Sequence, residues 1–242
     1  MNKVSKPKTF LSAEWRKLVM ANYAVDPTSL QPYLPPNTEL DTWNGTCYVS
    51  LVGFMFCDTK VLGVKIPWHI NFEEVNLRFY VRYKAGNEWK RGVVFIKEIV
   101  PKAAITLVAN TLYNEKYATM PMQHEWREEE DHLSVAYRWK FEGEWNHINV
   151  QTALQPVNIA KGSEEEFITE HYWGYTKTGA NQTSEYAVEH PVWDVYPVQQ
   201  YDIHCNASAL YGPEFGEAMS SEPVSVLMAE GSPILVRRGI II

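Results

Sequence analysis

The chain has 242 residues, 45% of them hydrophobic and 21% charged, so it holds enough apolar material for a sizeable core and does not read as disordered. Its net charge of -7 comes without a basic stripe, which argues against a nucleic-acid partner, since phosphates require clustered Lys and Arg. No apolar run is long enough to span a bilayer, and the basic residues 1–8 lack the apolar stretch of a signal peptide.

Three cysteines, Cys47, Cys57 and Cys205, form no CxxC pair and no complete disulfide set, which fits a reducing, cytoplasmic setting. No repeat or low-complexity tract interrupts the chain. The best linker candidate, residues 156–163, is short, so residues 1–242 are expected to form one domain.

Residues 15–25 read as a strand. Asp26 and Pro27 then open a short helix, with Asp as N-cap and Pro at the first helical position, and Pro35-Pro36 ends it. Asn44-Gly45 signals a two-residue hairpin between residues 39–43 and 46–56. From Glu74 onward, Val75, Leu77, Phe79, Val81 and Tyr83 alternate with Glu74, Asn76, Arg78, Tyr80 and Arg82. This period of two predicts a strand with one greasy and one polar face. Gly86-Asn87 turns the chain into residues 92–100, whose near-continuous apolarity predicts a strand covered on both faces. Pro101 is expected to open a buried helix reaching about Tyr113. Leu133 to Phe141 alternate as a half-buried strand, and residues 145–152 and 186–190 read as further strands. Ser163 and Glu166 form a capping box at the start of a brief helix. The apolar tail 239–242 is read as a docked terminus. Strands and hairpin signals dominate, so the fold class is mainly β (α+β): an antiparallel sheet or barrel with a few packed helices.

Nucleotide-cradling glycine loops, the GxSxG serine elbow and HExxH are all missing, and none of the seven histidines pairs with Cys at zinc spacing. Neither a metal nor a cofactor is therefore expected. Four sets of residues remain. Glu74, Asn76 and Arg78 share a strand face at steps of roughly 7 Å, so Glu74 and Arg78 flank Asn76 rather than pair. Inside a barrel they would offer an acceptor, an amide and a carboxylate-matching fork; on pattern alone, a solvated face with cross-strand ion pairs is the commoner use. Lys97 and Glu98 point to opposite faces of one strand. A buried Lys97 could act as a nucleophile, and an ion pair of Glu98 with Arg78 or Arg82 is the plainer reading. Lys116 follows the expected helix as a charged loop residue. The aromatic groups His171-Tyr172-Trp173-Gly174-Tyr175 and His190-Pro191-Val192-Trp193 serve either pocket walls or core packing.

Several segments together resemble the YqjF-like domain family. They are Ala13-Glu14-Trp15-Arg16, Asp26-Pro27, Tyr33-Leu34-Pro35, Tyr48 to Phe54, Asn71 to Val81, Gly92-Val93-Val94-Phe95 and the two aromatic groups. The resemblance spans nearly the whole chain and is most specific at Glu74-Val75-Asn76-Leu77-Arg78. It implies the acetoacetate decarboxylase-like fold, with a closed barrel and an internal pocket, and so turns the Glu74 face inward. In that superfamily a glutamate on the corresponding strand helps line the cavity, and Glu74 occupies the similar position. The decarboxylase itself works through a lysine activated by a neighbouring cation. The comparable stretch here, residues 113–118, has one lysine, Lys116, and its acidic neighbour Glu115 is expected to raise the lysine pKa.

The leading expectation is a small-molecule-binding protein, with an organic acid held by Glu74, Asn76, Arg78 and Trp173. The alternatives are a lysine-dependent decarboxylase- or aldolase-like enzyme using Lys97 or Lys116, and a non-catalytic interaction domain. Self-association is compatible with all three.

Overall fold

The computed structural model describes residues 7–112 and 115–242. In chain order its elements are β1 (Thr9–Val25), α1 (Pro27–Leu30), β2 (Thr38–Leu40), β3 (Cys47–Val61), β4 (Phe72–Ala85), β5 (Glu88–Val100), α2 (Ala103–Leu112), β6 (Tyr117–Thr119), β7 (Met122–Glu128), β8 (Leu133–Phe141), β9 (Glu144–Thr152), β10 (Val157–Asn158), α3 (Glu164–Thr169), β11 (Trp173–Gly179), β12 (Gln182–Glu189), β13 (Asp194–Tyr196), β14 (Val198–His204), α4 (Ala207–Tyr211), α5 (Pro213–Ala218), β15 (Ser225–Arg237) and β16 (Ile240–Ile241). The protein is mostly β.

The larger sheet runs β10-β13-β15-β1-β3-β4-β5-β11-β12-β16, and β12 pairs with β15 as well. Its long strands are antiparallel neighbours; β5 meets β11 and β6 in parallel. The contact of β5 with β11 depends on Gly92, where a Cβ would fall 2.4 Å from the Trp173 carbonyl oxygen. The smaller sheet, β14-β9-β8-β7, is antiparallel throughout.

The alternation in β4 explains how the two sheets meet. Val75, Leu77, Phe79 and Val81 share a buried cluster with Tyr137, Trp139, Ile148 and Val150 of the smaller sheet. The other face of the larger sheet carries a second cluster, including Leu18, Met20, Phe54, Tyr80, Phe167 and Trp193. Both faces of β4 are therefore covered. Glu74 is 2% exposed and Asn76 1%, which corrects the solvated polar face that periodicity alone favours.

Asp26 caps α1 as expected, its Oδ1 accepting from the Thr28 amide at 2.8 Å. Asn44 and Gly45 take positive φ, as a tight hairpin turn requires, but only Trp43 and Thr46 pair across them. The preceding β2 pairs with β4 instead of β3, so the expected long hairpin is a single bridge. Ser163 Oγ accepts from the Glu166 amide at 3.2 Å, whereas the Glu166 carboxylate reaches the amide of Gly162 at 2.6 Å, one residue before the box would place it. The linker candidate carries β10, paired with β13.

The helix after Pro101 differs most from expectation. It begins at Ala103, so Pro101 precedes it, and it lies at the surface with Leu107 68% exposed. The expected end at Tyr113 lies outside the described residues. Helical spacing alone cannot distinguish a helix sealed in a core from one laid over the mouth of a cavity. Ala104, Ile105, Val108 and Ala109 line such a cavity here. The tail docks as β16 against β12. Among the described residues no helix is long and apolar enough to cross a membrane.

Candidate functional site

A cavity of about 290 Å³ lies against the face of β4 that carries Glu74, Asn76 and Arg78 and the face of β5 that carries Phe95 and Glu98. Its walls are mainly apolar and aromatic, with Trp15, Phe54, Phe95, Trp173 and Trp193 among them, and its polar lining falls into two groups.

The first group is acidic. Glu74 and Asn76 come from β4, Glu98 from β5 and Glu115 from the segment before β6. Asn76 and Glu98 are direct cross-strand partners. Asn76 Nδ2 donates to Glu74 at 2.9 Å and the Tyr117 hydroxyl donates to Glu74 at 3.1 Å. Glu115 accepts from the hydroxyls of Thr176 at 2.6 Å and Tyr186 at 3.2 Å. The Tyr186 ring reaches this position because it lies across Gly174, where a Cβ would meet the ring at 2.1 Å. Burial pushes the carboxyls of Glu74 and Glu115 up to about 7, and their hydrogen bonds offset part of that rise. Burial, with the charges of Glu115 and Glu74, raises Glu98 well above the usual carboxylate range. Asn76 Oδ1 and Glu98 Oε2 are buried without a hydrogen-bond partner.

The second group is basic. Arg78 follows Asn76 on the same face of β4. Its Nη2 lies 3.5 Å from the sulfur of Met20, and its buried Nε has no partner. Among the described residues no carboxylate lies within ion-pair distance of it. His171, at the end of the loop before β11, is held at 3.1 Å by Asp41, which also accepts from Arg91 at 2.6 Å. Burial drives the His171 imidazole down to about 4, against the pull of Asp41, so the ring is neutral near pH 7 and its buried Nδ1 lacks a partner. His190 is stacked on Tyr172 and Trp193 at ring separations of 4.6 and 4.2 Å, and burial lowers its pKa too.

Glu74, Asn76, Arg78 and Trp173 thus line one cavity. Trp173 is half-buried, with the Lys90 ammonium 4.0 Å above its ring. The two lysines lie elsewhere. Lys97 turns to the opposite face of β5, where its ammonium donates to the Leu210 carbonyl of α4. Lys116 is exposed and sits 5.1 Å from the ring of Tyr33. Contrary to expectation, its pKa is lowered: partial burial and the charges of Lys177 and Lys97 outweigh Glu115. The expected ion pair of Glu98 is also absent among the described residues; Arg82 pairs with Glu39 at 2.5 Å instead. No group of three or more metal-ligating side chains occurs among the described residues.

Residues 12–233 match the model of DUF2071, described as an uncharacterized conserved protein (COG2071). The chain belongs to this family. A relative, the uncharacterized protein YqjF of Bacillus subtilis (strain 168), is 28% identical over 181 residues, covering 74% of this chain and 72% of its own. Among solved structures, acetoacetate decarboxylase from Legionella pneumophila superposes with a TM-score of 0.65 at 16% identity, covering 98% of this chain and 88% of its own. The enduracididine biosynthesis enzyme MppR, complexed with pyruvate, gives 0.65 at 10% identity over 99% of this chain and 92% of its own. These similarities establish an acetoacetate decarboxylase-like fold for this DUF2071 member.

Sequence reasoning missed Glu115, Tyr117 and Tyr186 as cavity residues, and placed Glu98 in an ion pair. The pairing of Leu77 with Lys97 and of Arg78 with Phe95 leaves Ile96 as an extra residue, a β-bulge. The bulge puts Phe95 and Glu98 on one face although they are three apart. Alternation alone separates them. The charged Glu98 inside an apolar run was the available signal.

Proposed function

We propose that this protein binds a small organic acid in the cavity, with the ligand carboxylate on Arg78 and its body between the aromatic walls. One observation carries this reading: Arg78 lines the cavity as a guanidinium that no carboxylate of the described chain pairs. A guanidinium offers a fork of donors that a carboxylate matches with both oxygens, and a largely apolar cavity strengthens that match by excluding water. The neutral His171 is a further polar group of the same lining. MppR, of the same fold, binds pyruvate, an organic acid, which supports the ligand class.

We further propose that β1, β3, β4, β5, β11, β12 and β15 close into a barrel within a single domain. The support is the extra pairing of β12 with β15, which joins the two ends of that run. The three free thiols fit a cytoplasmic setting. A lysine-dependent reaction has less support, because neither Lys97 nor Lys116 is among the described residues lining the cavity.

The test is calorimetric titration of pyruvate and 4-methylbenzoate into the wild type and Arg78→Ala. The expected result is at least about ten-fold weaker binding in the variant, with an unchanged circular dichroism spectrum. Equal affinity in the two proteins removes Arg78 from the site.

A further inference from the structure

Resting on that reading of Arg78, we propose that Asn76 and Glu98 receive a cationic nitrogen, so that the ligand is an amino-bearing organic acid rather than a simple one. The hydroxyl donors of the acidic group and one N–H of Asn76 are already engaged. Asn76 Nδ2 and the Tyr117 hydroxyl serve Glu74, and the Thr176 and Tyr186 hydroxyls serve Glu115. What remains are two acceptor oxygens, Asn76 Oδ1 and Glu98 Oε2, on cross-strand partners that are 1% and 3% exposed. Both residues line the cavity. With Glu98 ionised, both oxygens are buried acceptors without a donor, which is unfavourable, and a ligand N–H satisfies them.

Charge points the same way. The three carboxyls come from three segments; the charge of Glu115 raises Glu74 and Glu98, that of Glu74 raises Glu98, and among the described residues none of them is in an ion pair. The charges nearest to them are Arg78 on β4 and Lys116 beside Glu115, with the phenols of Tyr117 and Tyr186 facing the same space. Near neutral pH such a group holds more protons than ordinary carboxyls do, Glu98 above all, and an arriving cation favours their release. A ligand ammonium would therefore supply both the missing hydrogen bonds and the missing charge.

Spacing narrows the class. Asn76 and Arg78 are two residues apart on one strand face, about 7 Å, so nitrogen and carboxylate are separated by about that distance. A para-substituted benzene ring spans such a gap and matches the aromatic walls.

The test compares 4-(aminomethyl)benzoate, 4-methylbenzoate and benzylamine by calorimetric titration at pH 8 and pH 5, in two buffers with different ionisation heats. The zwitterion is expected to bind at least ten-fold tighter than 4-methylbenzoate at pH 8 and to release protons on binding. It should lose that advantage at pH 5 and in Glu98→Gln. If 4-methylbenzoate binds as tightly as the zwitterion, without proton release, the nitrogen site is wrong and the acid site at Arg78 stands. If benzylamine binds and neither acid does, the reading of Arg78 falls while the acidic group keeps its role. Failure of all three, and of pyruvate, overturns both. The wild-type comparison decides the matter even if Glu98→Gln does not fold.

Discussion

The two polar groups of the cavity meet on β4, which gives Glu74 and Asn76 to one and Arg78 to the other, yet burial acts on them in opposite directions. At Glu74, Glu98 and Glu115 it favours the protonated form of the carboxyls. Around Arg78 it holds the His171 imidazole in the deprotonated form, while Asp41 stays ionised because His171 and Arg91 outweigh its own desolvation. Low dielectric disfavours whichever form is charged, so the same wall neutralises acids and bases alike. Only groups with a matched partner, or a guanidinium that cannot lose its proton, keep their charge. Arg78 therefore keeps its charge at every pH considered, whereas the carboxyls change theirs near neutral pH.

The comparison can be broken most severely through packing. Gly174→Ala places a methyl 2.1 Å from the Tyr186 ring and displaces that ring from Glu115. A loss of about 2–3 kcal/mol in urea unfolding is expected. Stability unaffected by the change would mean that Tyr186 does not hold the acidic group in place.

Asp41→Asn attacks the basic group. It removes the acceptor shared by His171 and Arg91, and because Arg91 is partly exposed the expected loss is about 1–2 kcal/mol.

pH separates the two groups without any large structural change. Glu74 and Glu115 rise from 4.5 to about 7 on folding, so the folded protein holds more protons across that interval. Their contribution to stability is full below pH 4.5 and is lost as pH rises through about 7. His171 falls from 6.5 to about 4, so the folded protein holds fewer protons there and its contribution grows as pH rises over that interval. Between pH 4.5 and 6.5 the two contributions oppose each other, and the two carboxyls outweigh the imidazole, so Glu74→Gln should reduce the net loss of stability across pH 4.5 to 7. Thermal melts from pH 4 to 8 check the slope, and a variant curve parallel to the wild type would contradict the assignment.

The smallest effect is expected at Lys116. Lys116→Ala should shift stability by less than about 0.5 kcal/mol and leave pyruvate affinity unchanged, because the side chain is exposed and outside the cavity lining. Borohydride treatment with pyruvate should leave no adduct on Lys116 or Lys97. A trapped adduct on either would restore the lysine-dependent reading.

The strands were legible where local rules act alone. Alternation in β4 and β8, the Asp26 cap and the Gly86-Asn87 turn all follow from period and turn chemistry within a few residues. The inward aim of Glu74, Asn76 and Arg78 was not legible from periodicity, which separates two faces without saying which of them meets water. Only the resemblance in the Glu74 to Arg78 block pointed inward. Glu98 was obscured by the bulge at Ile96, which changes parity within one strand. Glu115 and Tyr186 were out of reach because strand pairing far apart in sequence brings them together. The surface position of α2 was missed because its apolar residues face a cavity instead of a sealed core.

The most direct test is a crystal structure of the protein with 4-methylbenzoate bound, a ligand that lacks the nitrogen and so isolates the acid site. The account predicts the carboxylate on the Arg78 guanidinium, at about 2.8 Å, with the ring against Phe95 and Trp173. A carboxylate seated on the Glu74 and Glu98 side, or a ligand outside this cavity, would contradict it.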